Sequence, residues 1–286
     1  MSKIAVTTDS NSGISQREAE MMGIRVVPMP FYIDGDLFYE DVSLTQEEFY
    51  RRQESGAEIT TSQPSPGMMA EIWDEMLRDH DEIIHLPMSS GLSGTCGAAE
   101  ALARDYGGRV HVVDNQRISV TLRLSVNDAL RMIRAGMPAD EIVSVLMRER
   151  RESSIYITVD TLKYLKKGGR LTPAAAAFGT VLNIKPVLQI QGDKLDAFEK
   201  VRGMKAAKKA MLDALEHDLE TRFRGQRVHL GAAYTSSLDE ALLWKHEIEE
   251  RFPGYGEVTM DPLTLSVACH IGSGALGIGC SRVVEV

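Results

Sequence analysis

Short apolar runs that end in hydroxyl-rich loops constrain this chain more than anything else in it. Ile4-Ala5-Val6 leads into Asp9-Ser10-Asn11-Ser12-Gly13, and Ile83-Ile84-His85-Leu86 leads into Ser89-Ser90-Gly91-Leu92-Ser93-Gly94-Thr95. A third stretch, Thr60-Thr61-Ser62-Gln63-Pro64-Ser65-Pro66, also stands just before a helix start. Strand, polar loop and helix start form the repeating unit of an open α/β sheet. That unit gathers loop hydroxyls and helix N-terminal amides at the strands' carboxyl ends, where an anion is welcome. None of the three stretches has the glycine spacing of a phosphate loop or dinucleotide site, so the anion need not be a nucleotide.

Local signals extend this pattern. Ser15 reads as the N-cap of a short helix ending at Gly23, and Ser65-Pro66 as an N-cap followed by proline at the first helical position. Thr45 with Glu48 reads as a capping box. Asp34-Gly35 between the apolar runs 24–33 and 37–42 predicts a hairpin, since both central positions need positive φ. Strand-like runs at 3–7, 82–86 and 109–114, each followed by a helical pattern, predict a mainly parallel sheet with helices on both faces. Beyond Ser153 the pattern shifts to strand pairs with intervening helices, including a hairpin of 184–190 with 195–201. The fold class expected is α/β. An N-terminal α/β domain over 1–155, with the hairpin near 24–42, precedes a C-terminal α+β domain over 156–286 whose sheet is covered on one face.

Composition removes several classes of function. A net charge of −9 disfavours nucleic acid, whose binding rests on neutralising phosphates. Cys96, Cys269 and Cys280 form no CxxC pair, and the seven histidines show no metal-ligand spacing, so no metal, disulfide or cofactor is expected. Met1-Ser2-Lys3-Ile4 lacks the apolar stretch of a signal peptide, and no run reaches membrane-spanning length. The nearest is the alanine-rich patch from Pro173 to Leu182, soon interrupted by Asn183 and Lys185. A cytoplasmic protein without stable membrane insertion is expected.

Gly91-Leu92-Ser93-Gly94-Thr95 nearly matches a serine-hydrolase nucleophile elbow, but Thr95 replaces the last glycine. Ser93 therefore reads as a helix cap that also offers its hydroxyl to a ligand oxygen. Gly272-Ser273-Gly274-Ala275-Leu276-Gly277 matches G-x-G-x-x-G, yet only nine residues follow it, too few for a βαβ unit. Its glycines fit a close approach of backbone to a ligand or a strand. His270 just before them is a core histidine or a ligand donor; beside a carboxylate it would become an imidazolium. Lys163, Lys166, Lys167 and Arg170 around Gly168-Gly169, and Arg202 with Lys205, Lys208 and Lys209, are local basic patches in an acidic chain.

Taken together these segments resemble the DegV family of bacterial fatty-acid-binding proteins, which includes the lipid-carrying subunit of fatty acid kinase. The resemblance runs over nearly the whole length. It is carried by Thr7-Thr8-Asp9-Ser10, Thr61-Ser62-Gln63-Pro64-Ser65-Pro66 and Ser89-Ser90-Gly91-Leu92-Ser93-Gly94-Thr95. Thr161-Leu162-Lys163-Tyr164-Leu165-Lys166-Lys167-Gly168-Gly169-Arg170, Asn183-Ile184-Lys185-Pro186-Val187-Leu188, Lys200-Val201-Arg202-Gly203 and the segment 270–279 complete it. It implies a long-chain fatty acid (palmitate, stearate or oleate) buried between the two domains, its carboxylate held by Thr61, Ser93 and His270. Ser62, Gly94 and Thr95 complete that headgroup site. It further implies an ATP-dependent kinase subunit as partner, with Arg170 and Arg202 near the exposed end to dock the partner or its phosphates. The carrier itself would do no chemistry.

The chain departs from the family pattern at Asp114-Asn115 and Val120-Thr121-Leu122-Arg123, and at His270-Ile271-Gly272-Ser273-Gly274, where relatives often carry threonine and proline. The first departure bears on the shape of the acyl tunnel. A palmitate-length chain gains on the order of 10 kcal/mol from burial at roughly 0.8 kcal/mol per methylene, before ordering costs. Two other readings stay open: a serine esterase or acyltransferase using Ser93 and His270, and a module binding a sugar or small phosphate.

Overall fold

A computed structural model describes residues 2–40, 42–177 and 184–285. Leu182 and Asn183, named above in the apolar patch and the family motif, lie outside the described residues. In the N-terminal half, β1 (Ile4–Asp9) pairs in parallel with β2 (Arg25–Val27). The run 24–33 is not one strand. Pro28 and Pro30 bring no N–H to a ladder, and the chain leaves the first sheet between them. β3 (Pro30–Ile33), β4 (Asp36–Tyr39) and β5 (Ile59–Thr61) make a separate antiparallel sheet in the order β4-β3-β5. The β3–β4 turn is the expected one, with φ of 52° at Asp34 and 90° at Gly35.

β6 (Glu82–Leu86) and β7 (Val110–Val112) complete a parallel sheet in the order β2-β1-β6-β7. Alternate residues bury opposite faces, as the pleat requires. Val6, Ile84 and Leu86 pack with Leu122 and Ile142 from the helices Ser119–Arg134 and Ala139–Arg148. Ala5 and Ile83 pack with Trp73 and Ala99 from Pro66–Met76 and Thr95–Ala103. Ser15 makes both halves of a capping box with Glu18. Thr45 accepts the Glu48 N–H, but the Glu48 carboxylate turns to Arg51 and Arg52, where opposite charge draws it more strongly than a backbone amide.

The second sheet contains β8 (Ser153–Thr158), β9 (Ile184–Ile190), β10 (Asp196–Arg202), β11 (Val228–Tyr234), β12 (Thr259–Pro262) and β13 (Leu276–Arg282). Their order is β10-β9-β8-β13-β11-β12, antiparallel except for the β11–β12 pair. A division after residue 155 falls inside β8; we propose the change of sheet at Ser153 as the domain boundary. Helices Gly203–Glu220 and Leu238–Arg251 cover one face, where Tyr156, Leu276 and Ile278 meet Met211 and Trp244. The other face turns toward helix Ser119–Arg134.

Buried polar contacts tie the halves together. Asn11 Oδ1 accepts from Thr264 Oγ1 at 2.9 Å and Ser266 Oγ at 2.6 Å. Arg123 reaches Glu18, Asp261 and the Gly13 carbonyl. Ser89 Oγ donates to the Asp193 carbonyl at the β9–β10 turn, 2.8 Å away. Arg117, 2% exposed, donates to Ser281 Oγ and the Glu149 carbonyl. No helix among the described residues is long and apolar enough to cross a membrane.

Candidate functional site

Thr61, at the end of β5, and His270, on the helix Leu265–Ile271, share a hydrogen bond of 2.9 Å between Oγ1 and Nε2. The small antiparallel sheet positions both. Phe31 and Ile33 of β3 pack against Leu265, Ala268 and Cys269, and Gln53 Nε2 donates to the Ala268 carbonyl at 3.0 Å. The helix Lys163–Gly168 closes the other side of the imidazole. A Cβ on Gly168 would collide with His270 Nδ1, so the residue read from sequence as a helix stop is also a close-packing requirement. Burial, aided by the Arg170 charge, pushes His270 down to about 4. Burial thus favours the neutral imidazole in the protein alone, while the imidazolium expected from sequence belongs to a site that holds a carboxylate.

Ser93 Oγ lies 2.8 Å from Thr95 Oγ1 and accepts the Thr95 N–H at 3.2 Å. The helix begins at Thr95 with Gly94 in the cap position, so Ser93 serves the helix start from one residue further out. Ser62 and Gly94 line the cavity mouth with Thr61, Ser93, Arg170 and His270. Gln63, unassigned by the sequence reading, joins them; its Oε1 would lie 2.9 Å from a Cβ on Gly94. Thr95 is fully buried behind Ser93 and does not reach the cavity wall. Arg202 is exposed at the end of β10 and is not among the lining residues.

The three hydroxyl-rich loops do not contribute alike. Those at 60–66 and 89–95 bring hydroxyls to the mouth. The first is consumed internally: Asp9 accepts the amides of Asn11 and Met88, Ser10 accepts that of Met29, and Ser12 donates to the Asp9 carbonyl. Burial raises Asp9 to about 6 against those bonds. This loop ties the two halves of the chain together through Asn11, which also touches the cavity.

Behind the mouth the cavity holds about 470 Å³, within the range of roughly 300–1,000 Å³ usual for small-molecule sites. Its walls are apolar, with Leu92, Ile118, Ile157, Leu165 and Ile190 from both halves. Gly277 and Gly279 of β13 form part of its floor. Of the glycine run, only Gly272 shows the expected close approach, a Cβ there lying 2.7 Å from the Tyr164 ring; that Gly277 lies under a cavity needed the pairing of strands from distant parts of the chain.

Ser93 and His270 have different partners, Thr95 and Thr61, and His270 has a cation rather than an orienting carboxylate beside it. A serine nucleophile needs the opposite arrangement. Among the described residues no group of three or more His, Cys, Asp or Glu is placed to hold a metal ion.

A parallel four-stranded sheet and a six-stranded sheet, with the helix Ser119–Arg134 packed against both and an apolar cavity lined from both halves, define a mixed α/β protein. The chain belongs to the DegV family, whose pattern it matches over residues 3–283. A DegV domain-containing protein of Deinococcus radiodurans is 34% identical over 278 residues, covering 96% of this chain and 97% of the relative. One from Listeria monocytogenes is 31% identical over 281 residues, again covering 96% and 97%. Among solved structures, a fatty-acid-binding DegV family protein from Thermus thermophilus superposes with a TM-score of 0.89 at 31% identity, covering 98% of this chain and 99% of its own. DegV from Bacillus subtilis, described as a fatty acid binding protein, gives 0.87 at 26% identity, covering 99% and 100%.

Proposed function

We propose that this protein is a carrier that buries the acyl chain of a long-chain fatty acid in the cavity and holds its carboxylate at Thr61, Ser93 and His270. The observation that carries this reading is the joining of a hydroxyl–imidazole mouth to an apolar cavity of about 470 Å³. A buried carboxylate needs donors in place of water. Thr61, Ser93 and the amides at the helix start near Gly94 offer them, and protonation of His270 adds a charge-assisted one. The DegV proteins of Thermus thermophilus and Bacillus subtilis, described as fatty acid binding, support the same ligand class.

The carrier presents this carboxylate to a separate ATP-dependent kinase subunit in the cytoplasm. There a carboxylate oxygen attacks the γ-phosphorus and ADP leaves, giving an acyl phosphate that feeds phospholipid synthesis. Arg170 lines the mouth and suits the incoming phosphates; Arg202, exposed on the rim of the second sheet, suits the partner. Native mass spectrometry of the purified protein is expected to show one long-chain fatty acid per chain. Ligand-free spectra after loading with palmitate or oleate would overturn the carrier reading. Carboxylate phosphorylation by a kinase subunit from the same cell, lost in Arg170→Ala, tests the second step.

A further inference from the structure

The pairing register divides the cavity floor into rows across three strands. Ile157 of β8, Gly277 of β13 and Ala233 of β11 stand side by side, and all three line the cavity. Two residues further along, about 6–7 Å at strand rise, comes the row of Ile155, Gly279 and Gly231. The third row is Ser153, Ser281 and His229. Ser281 Oγ there takes a hydrogen bond of 2.7 Å from the buried Arg117, and none of that row lines the cavity.

Val120 occupies the second row. A Cβ on Gly231 would lie 2.8 Å from Val120 Cβ, and one on Gly279 would lie 3.1 Å from Val120 Cγ2. The two facing glycines thus form a hollow filled by one β-branched side chain, 2% exposed. The residue before it, Ser119, has φ of 53°, a left-handed conformation disfavoured for a side-chain-bearing residue. That turn opens the helix Ser119–Arg134 and sets where Val120 enters the sheet. The first row is different: a Cβ on Gly277 would find its nearest neighbour, the Tyr156 carbonyl, at 3.4 Å, an ordinary contact.

We infer that Val120 is the end-stop of the acyl cavity and sets the longest chain the protein accepts, with Gly277 keeping the approach to it open. The inference rests on the fatty-acid reading above and assigns this chain's selectivity to one contact. Past Val120 the buried Arg117–Ser281 pair closes the path with a polar wall that an alkyl chain gains nothing by touching.

The test is a competition among laurate, palmitate, stearate and arachidate for the purified full-length chain, read by native mass spectrometry. In Val120→Ala the arachidate-to-palmitate ratio is expected to rise about tenfold, the effect of roughly two more buried methylenes. In Gly277→Val, which fills the first row, the laurate-to-palmitate ratio is expected to rise by about tenfold or more. Val120→Ile, which keeps the hollow filled should the alanine variant unfold, is expected to disfavour the longest acids. Variants that load acids with the length profile of the natural chain would overturn the end-stop while leaving the carrier reading intact. A natural chain that loads no acid of any length would overturn both.

Discussion

The two faces of the six-stranded sheet are made from alternate residues of the same strands, yet they do opposite things. On one, Tyr156, Leu276, Ile278 and Cys280 are closed under two helices, and Trp244 lies fully buried with its Nε1 donating to the Gly277 carbonyl at 2.9 Å. On the other, Gly277 and Ala233 leave space where the cavity lies, while the hollow at Gly279 and Gly231 is filled by Val120 of helix Ser119–Arg134. One face is closed by side chains; the other leaves room that, on the proposed carrier reading, an acyl chain fills. A strand's period of two lets both purposes share one backbone.

The largest effect is expected on the filled face. Trp244→Ala should lower stability by about 3–5 kcal/mol in urea unfolding, whereas Gly277→Ala should cost under about 1 kcal/mol because its new methyl meets only ordinary contacts. Equal losses from the two would erase the contrast between the faces. Next comes the mouth. Thr61→Ala combined with Ser93→Ala removes two donors to an ionised group, each typically worth about 1.5–3 kcal/mol. Fatty-acid affinity measured by isothermal titration should fall at least tenfold, while stability falls by only about 1 kcal/mol from the lost Ser93 bond at the helix start. Gly168→Ala, which pushes on His270 without touching the ligand, should weaken binding by a smaller factor; unchanged affinity would show that the imbalance of space there is absorbed elsewhere.

The smallest effect is a pH dependence. Burial and the Arg170 charge push His270 down to about 4 in the protein alone, and a carboxylate beside it raises that value. Binding then takes up a proton. The added affinity is full below the free-state value of about 4 and is lost as pH rises from there through the bound-state value, with a slope of at most about tenfold per pH unit. His270→Asn should flatten the part of the affinity–pH curve that belongs to the imidazole. A slope identical in both proteins would remove His270 from the headgroup.

Much of the local structure is legible in the sequence. The βα alternation, the Asp34-Gly35 hairpin, the Ser15 and Ser65 caps and the basic helix ending at Gly168-Gly169 are local matters, settled by patterns a few residues long. The mouth residues Thr61, Ser93 and His270 stood out because hydroxyls before helix starts and a histidine beside glycines are chemically conspicuous. The apolar run before His270 has no element assigned to it from sequence and is a helix, since packing against Phe31 and Ile33 decides its state. The first hydroxyl loop looked like its two counterparts, but its side chains are spent on its own backbone and on Thr264 and Ser266. Such distant partners leave no local trace.

The amino-acid sequence alone therefore determined the α/β class, the Asp34-Gly35 turn, the helix caps and stops and which hydroxyls and histidine stand in loops, because propensity, capping and hydrophobic period act over a few residues; the separate β4-β3-β5 sheet and the helix Leu265–Ile271 escaped it. Tertiary structure decided which of those groups meet. Thr61 finds His270 only when a small sheet and a late helix pack together, and that packing, by burying the imidazole, pushes it further toward the neutral form. The cavity, too, exists only once β8, β11 and β13 lie side by side with Val120 against them, since the volume left between two packed faces belongs to neither strand by itself.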